Sequence, residues 1–221
     1  MNYQLDDPEG FGMLILHRGF NPEVHPSAFI APTAVLVGRV AVGPRSRVLY
    51  GAVLDSEGSK IEIGECVIVS ENSVIRAMES AGNEYPAILG EHVLVGPHAT
   101  LLGCTVEPFS YIATGATVLQ GAVVRSGSVV GVGAIVHADT VLRSGFFLPP
   151  NTIAIGDPAA VYSPDEKVTL ASAIKTIRFG NVEFGVDPAQ DRLSMVRKGT
   201  EFRSSEYESH FDDIVLERKA K

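Results

Sequence analysis

The chain has 221 residues and a net charge of −8, with 18 Lys and Arg against 26 Asp and Glu, which argues against a general nucleic-acid binder with its basic stripe. Hydrophobic residues make up 45% of it, enough for a real core, yet no run approaches the roughly 18 apolar residues of a membrane span. Tryptophan is absent and glycine occurs 22 times, a balance that suits many short strands and tight turns better than a helical core.

The opening stretch "MNYQLDDPEGFG" is acidic and polar. It lacks the basic and apolar regions of a secretory signal, so a cytoplasmic protein is expected. From Val24 an aliphatic residue returns every six positions, through Ile30, Leu36, Val42, Val48 and Leu54. The phase resumes at Ile63, Val69 and Ile75, and again at Leu89, Val95 and Leu101. After a one-residue shift it runs through Val106, Ile112, Val118, Val124, Val130, Val136, Leu142 and Leu148. A six-residue period fits neither an amphipathic helix nor an isolated alternating strand. It fits a hexapeptide β-helix, in which each hexad makes one strand and one turn and three hexads close a triangular coil. The aliphatic anchor points into the prism, and the residue after it is often small because the chain bends there. The anchors predict an all-β solenoid, a parallel β-helix of about seven coils.

Two segments break the pattern. "SEGSK" lies between Leu54 and Ile63, and "AMESAGNEYPA" lies between Ile75 and Leu89. The second is long and polar, with turn residues, and reads as a loop leaving the prism. The cysteines Cys66 and Cys104 form no CxxC pair and are too few for a disulfide framework. They are expected to be reduced and buried. The glycines of "VRSGSVVGVG" obey the hexad, and no helix follows them, so this is not a nucleotide-binding fingerprint. After "LPPNTIAIGDPAAVY" the period ends. "SPDEKVTLASAIKTI" reads as a helix capped by Ser163, with Pro164 at its first position. The β-helix is therefore expected over residues 1–162, and a helical extension and tail over 163–221. In that tail "SSEYESHFDDIVLERK" suits a short amphipathic helix with Tyr207, Phe211, Ile214 and Val215 on one side.

Four segments, "HPSAFIAPTAVLVGRVAVGPRSRVLYGAVL", "IEIGECVIVSENSVIR", "VLVGPHATLLGCTV" and "TIAIGDPAAVY" followed by a helix, resemble the gamma-class carbonic anhydrase group of hexapeptide-repeat proteins. The resemblance covers roughly residues 20 to 178. It implies a left-handed coil and a homotrimer with zinc or another divalent metal between subunits. It also implies three histidine ligands, an arginine–aspartate pair and a glutamine. At those places this sequence carries Arg76, Pro97 and Leu102 for the histidines, Asp55 and Glu57 for the pair, and Ser70, followed by Glu71, for the glutamine.

A catalytic zinc takes three protein ligands and an open position. Arginine keeps its proton and does not coordinate, and proline and leucine offer no side-chain donor. No metal is expected at that place. What remains is a remodelled cleft of Asp55, Glu57, Ser70, Glu71 and Arg76. It is either an ion-paired plug or a pocket whose arginine receives a small anionic ligand. His98 is a candidate general base or a turn histidine that bonds locally.

Three roles follow. The first is a metal-free, carbonic-anhydrase-like homotrimer, without cofactor, used for binding or assembly. The second is an acyltransferase-like or other small-molecule enzyme that takes acetyl-CoA or another acyl-CoA in the intersubunit cleft, with His98 as base. The third is an alternative metal site of His98 with His92, His137 or acids of a neighbouring chain. Neither nucleic acid nor membrane is an expected partner.

Overall fold

The computed structural model describes residues 12–80, 82–177 and 192–216. It is a parallel β-solenoid of about eight turns, with a winding consistent with the left-handed one that the resemblance implies. Two faces of the prism have seven strands each, and the third has ten. The outermost two of the ten, Ala160–Tyr162 and Ile214–Val215, run antiparallel to their neighbours. The extra turn beyond the seven expected comes from Met13–Leu16, which adds a rung ahead of the first anchor.

The period explains the core. Anchors of one face stack in register, as in Val24, Val42, Ile63, Leu89, Val106, Val124 and Leu142. Apart from the partly buried Val24, every anchor is buried. Each buried Val, Leu or Ile contributes about 1.5–3 kcal/mol relative to an exposed one. Coils also approach closely at the small residue after the anchor. A side chain on Gly96 would stand 2.7 Å from the backbone nitrogen of Thr114 in the next coil.

Three residues after most anchors the corner turns left-handed. The φ angle is +57° at Arg45, +54° at Cys66, +55° at His92, +58° at His98 and +61° at Phe109. Most L-residues avoid this region, so Asn and Gly recur at the position. Cys66 is consequently only partly buried at its corner, against expectation, while Cys104 is buried. Burial pushes the Cys104 thiol up to about 12.

The long break is a hairpin rather than an irregular loop, with Met78–Ser80 paired antiparallel to Asn83–Tyr85. The helix after the prism, Lys167–Thr176, starts later than expected. Ser163 is not its N-cap. The Ser163 backbone N–H donates to the Glu166 carboxylate at 2.7 Å, and the segment between them forms a separate turn. The tail departs further. Helix Arg192–Tyr207 passes into a 3₁₀ turn, Glu208–Asp212, and then into the strand Ile214–Val215. Ile214 and Val215 therefore belong to a sheet and not to a helical face.

Candidate functional site

Along the ten-stranded face, the residue after each anchor points outward while the anchor points in. Leu54, Ile75 and Leu101 are fully buried, and their flanking neighbours are not. Register sets these outward residues side by side, Val37 against Asp55, Asp55 against Arg76, and Arg76 against Leu102. Neighbouring strands lie about 4.8 Å apart, so Asp55, Arg76 and Leu102 form one column.

The short break supplies the fourth member. Glu57 sits three residues after the anchor Leu54, at φ +43°. Its backbone N–H donates to the Asp55 carboxylate at 3.0 Å, an Asx-type turn that holds the strained residue. Its side chain is 1% exposed. Arg76 lies 3.7 Å from Asp55 Oδ2 and 3.8 Å from Glu57 Oε2, and Arg18 lies 3.6 Å from Glu57 Oε1. A carboxylate this buried needs such partners, because an unpaired charge is costly away from water.

The C-terminal segment closes over the column. Ile214 pairs with Leu16 and Val215 with Ile15, which draws Tyr207, His210 and Asp213 across the face. The Arg76 guanidinium carbon lies 5.0 Å from the centre of the Tyr207 ring, within cation–π reach. His210 Nε2–H donates to Glu57 Oε2 at 3.1 Å, and His210 Nδ1 faces Asp213 Oδ2 at 2.8 Å. The other oxygen of Asp213 meets His17 Nδ1 at 2.6 Å. The two imidazoles stack at 4.3 Å. Burial works against the charge on His210, but the hydrogen bond to Asp213 and the field of Glu57 outweigh it and hold its pKa above the ordinary value. Asp213 moves the opposite way. Burial opposes its ionisation, and the bonds from His210 and His17 overcome that and hold its pKa below the usual carboxylate range.

The six residues singled out from the sequence thus fall into two places. Asp55, Glu57 and Arg76 come together. Ser70, Glu71 and His98 lie on a corner at the entrance to the same face. Ser70 is buried, its N–H donating to Val95 O and its carbonyl accepting from the Ser73 hydroxyl. The His98 backbone N–H donates to Glu71 O at 3.0 Å, and the residue is exposed. His92 stacks on Phe109 of the next coil. His137 is buried, its Nδ1 accepting from the Ala138 N–H, and burial lowers its pKa. Among the described residues of one chain, none of these three histidines belongs to a group able to hold a metal. Two such groups exist, His17 with His210 and Asp213, and Asp55 with Glu57 and His210.

His17, Arg18, Tyr207, His210 and Asp213 were not found by sequence reasoning. The stretch "LILHRGF" precedes the first anchor out of phase with it, and "SHFDD" was read as a helical surface. The available signal was a His-x-x-Asp spacing in the tail and a lone histidine ending an apolar run.

No known family profile matches the chain. It is 37% identical over 100 residues to gamma carbonic anhydrase 1, mitochondrial, of Arabidopsis thaliana, covering 44% of this chain and 36% of that one. The matched stretch therefore spans only about a third of that relative. Carbonic anhydrase of Geobacillus kaustophilus is 32% identical over 149 residues, covering 67% of this chain and 76% of the relative. A crystal structure of a hexapeptide transferase family protein from Anaplasma phagocytophilum aligns over 90% of this chain and 97% of its own, at 21% identity and a TM-score of 0.47.

Proposed function

Because the chain belongs to the gamma carbonic anhydrase-like family of hexapeptide-repeat proteins, we propose that it keeps that scaffold for binding or assembly and not for zinc-dependent hydration of carbon dioxide. The observation that carries the reading is the column on the ten-stranded face. Arg76 and Leu102 stand side by side where the resemblance implies imidazoles, and Pro97 stands at the corner before them. These residues do not fit a zinc ion, since none offers a lone pair to the metal. In its place an ion-paired plug, Asp55–Arg76–Glu57, is covered by Tyr207 and His210. The plug reading is favoured over an anion pocket because both acids already face the guanidinium.

The assembly we propose is a homotrimer, and the compartment the cytoplasm. An outward stripe of Ile68, Leu94, Tyr111, Val129 and Phe147 runs in register up one seven-stranded face. Its members Ile68, Leu94, Tyr111 and Phe147 are 37–60% exposed. A contiguous apolar stripe on a flat wall supports a protein–protein contact, and closed homo-oligomers are the common solution.

Stopped-flow carbon dioxide hydration with the purified full chain, with and without added zinc, tests the reading. The expected rate equals that of buffer under both conditions. A zinc-dependent rate that a chelator abolishes would overturn it.

A further inference from the structure

We infer that His17, His210 and Asp213 form a divalent-cation site, suited to zinc, within each chain, between the strand Met13–Leu16 and the C-terminal segment. One ligand atom from each residue lies within 4.8 Å of the other two. The set is two imidazoles and a carboxylate, which leaves a fourth position open on a tetrahedral ion. Zinc bonds of about 2.0–2.1 Å at tetrahedral angles separate donors by about 3.3 Å. The present gaps, 2.6 Å from His17 Nδ1 to one Asp213 oxygen and 2.8 Å from His210 Nδ1 to the other, need to open by less than about 1 Å, and the two rings, stacked 20° from parallel, need to turn until both lone pairs meet one ion.

The wholly buried His17 ring offers its Nδ1 to the set, since that atom meets Asp213. Two independent observations point the same way. His210 donates its remaining N–H to Glu57, the carboxylate support that orients metal-bound histidines. Glu57 is itself held by its left-handed turn and by Arg18 and Arg76. Finally, the charges leave room for a cation. Asp55, Glu57 and Asp213 outnumber Arg18 and Arg76, so the cluster is net negative when both imidazoles are neutral. His210 and Asp213 are partly exposed, 31% and 20% for their side chains, which opens a path for the ion.

This site differs from a metal between subunits. All its ligands come from one chain, and it would fasten the tail to the first rung of the prism. The full-length protein, stripped with a chelator, is titrated with zinc by calorimetry and with cobalt(II) by visible absorption. One ion per chain is expected, at micromolar affinity or tighter, with the intense bands of a tetrahedral cobalt centre. His210→Ala and Asp213→Asn should each weaken binding at least about 100-fold, and Glu57→Gln about 10–100-fold. His98→Ala should leave it unchanged. Should His210→Ala loosen the tail, His210→Cys decides the matter, because it restores a ligand and adds a thiolate-to-cobalt band. Binding no tighter than millimolar, or tight binding that survives all the ligand substitutions, would overturn the inference. The two readings fail separately: a zinc-dependent hydration rate would overturn the proposed function whichever site holds the ion, and its loss in His210→Ala would place that ion here, whereas this inference is decided by the binding titrations alone.

Discussion

At the scale of single residues, hexad position decides much of what a side chain is able to do. His98 and Glu57 occupy the same corner position, three residues after an anchor, and both have positive φ. His98 faces solvent, whereas Glu57 is buried because the break "SEGSK" folds it against the column. Arg76 is the group that makes this burial tolerable. Arg76→Met should destabilise the protein by about 3 kcal/mol, the low end of the range for breaking a buried pair, since Arg18 remains beside Glu57. Urea unfolding measures this, and a change below about 0.5 kcal/mol would show that the pair is too solvated to matter. Asp55 and Arg76 were singled out through the resemblance, and strand register puts them side by side. The pairing of either with Glu57 was not legible in the sequence, because the break shifts Glu57 out of any register a sequence displays.

At the scale of elements, local pattern and tertiary context disagree in the tail. The stretch around Tyr207 to Val215 alternates apolar and charged residues in a way that suits a helix. Its last two apolar residues instead complete a sheet edge, since Met13–Leu16 otherwise leaves a row of unpaired backbone groups. Leu216 N–H donating to Leu14 O at 2.9 Å extends the same pairing. Removal of residues 207–221 should leave the circular dichroism of the prism intact. It should speed hydrogen exchange in Met13–Leu16 at least about ten-fold, equivalent to about 1.4 kcal/mol of lost protection. Unchanged exchange there would mean that the tail is not what closes this edge. The hairpin Met78–Ser80 with Asn83–Tyr85 teaches a smaller lesson. Its polar composition signalled an excursion from the prism, but strand pairing inside an excursion depends on cross-strand neighbours that no six-residue period encodes.

At the scale of the whole molecule, the apolar stripe up one wall is a contiguous surface that the described residues leave uncovered. Leu94→Lys with Tyr111→Lys should convert the proposed trimer to monomers, read by light scattering, while the far-ultraviolet spectrum stays that of a β-helix. Trimers that survive the double substitution would move the contact to another face. The sequence by itself determined the solenoid, its three-fold walls and the inward side of each strand, because a strict period repeats one local solution and every anchor meets its own kind above and below. The resemblance adds the expectation that Arg76, Pro97 and Leu102 stand at the places of the family's metal-ligand histidines. Only the tertiary structure decided that His17, Glu57, His210 and Asp213 converge. They come from the first rung, a break and the turn before the last strand, up to 196 residues apart, and a fold brings such residues together through sheet-edge pairing rather than through any spacing along the chain.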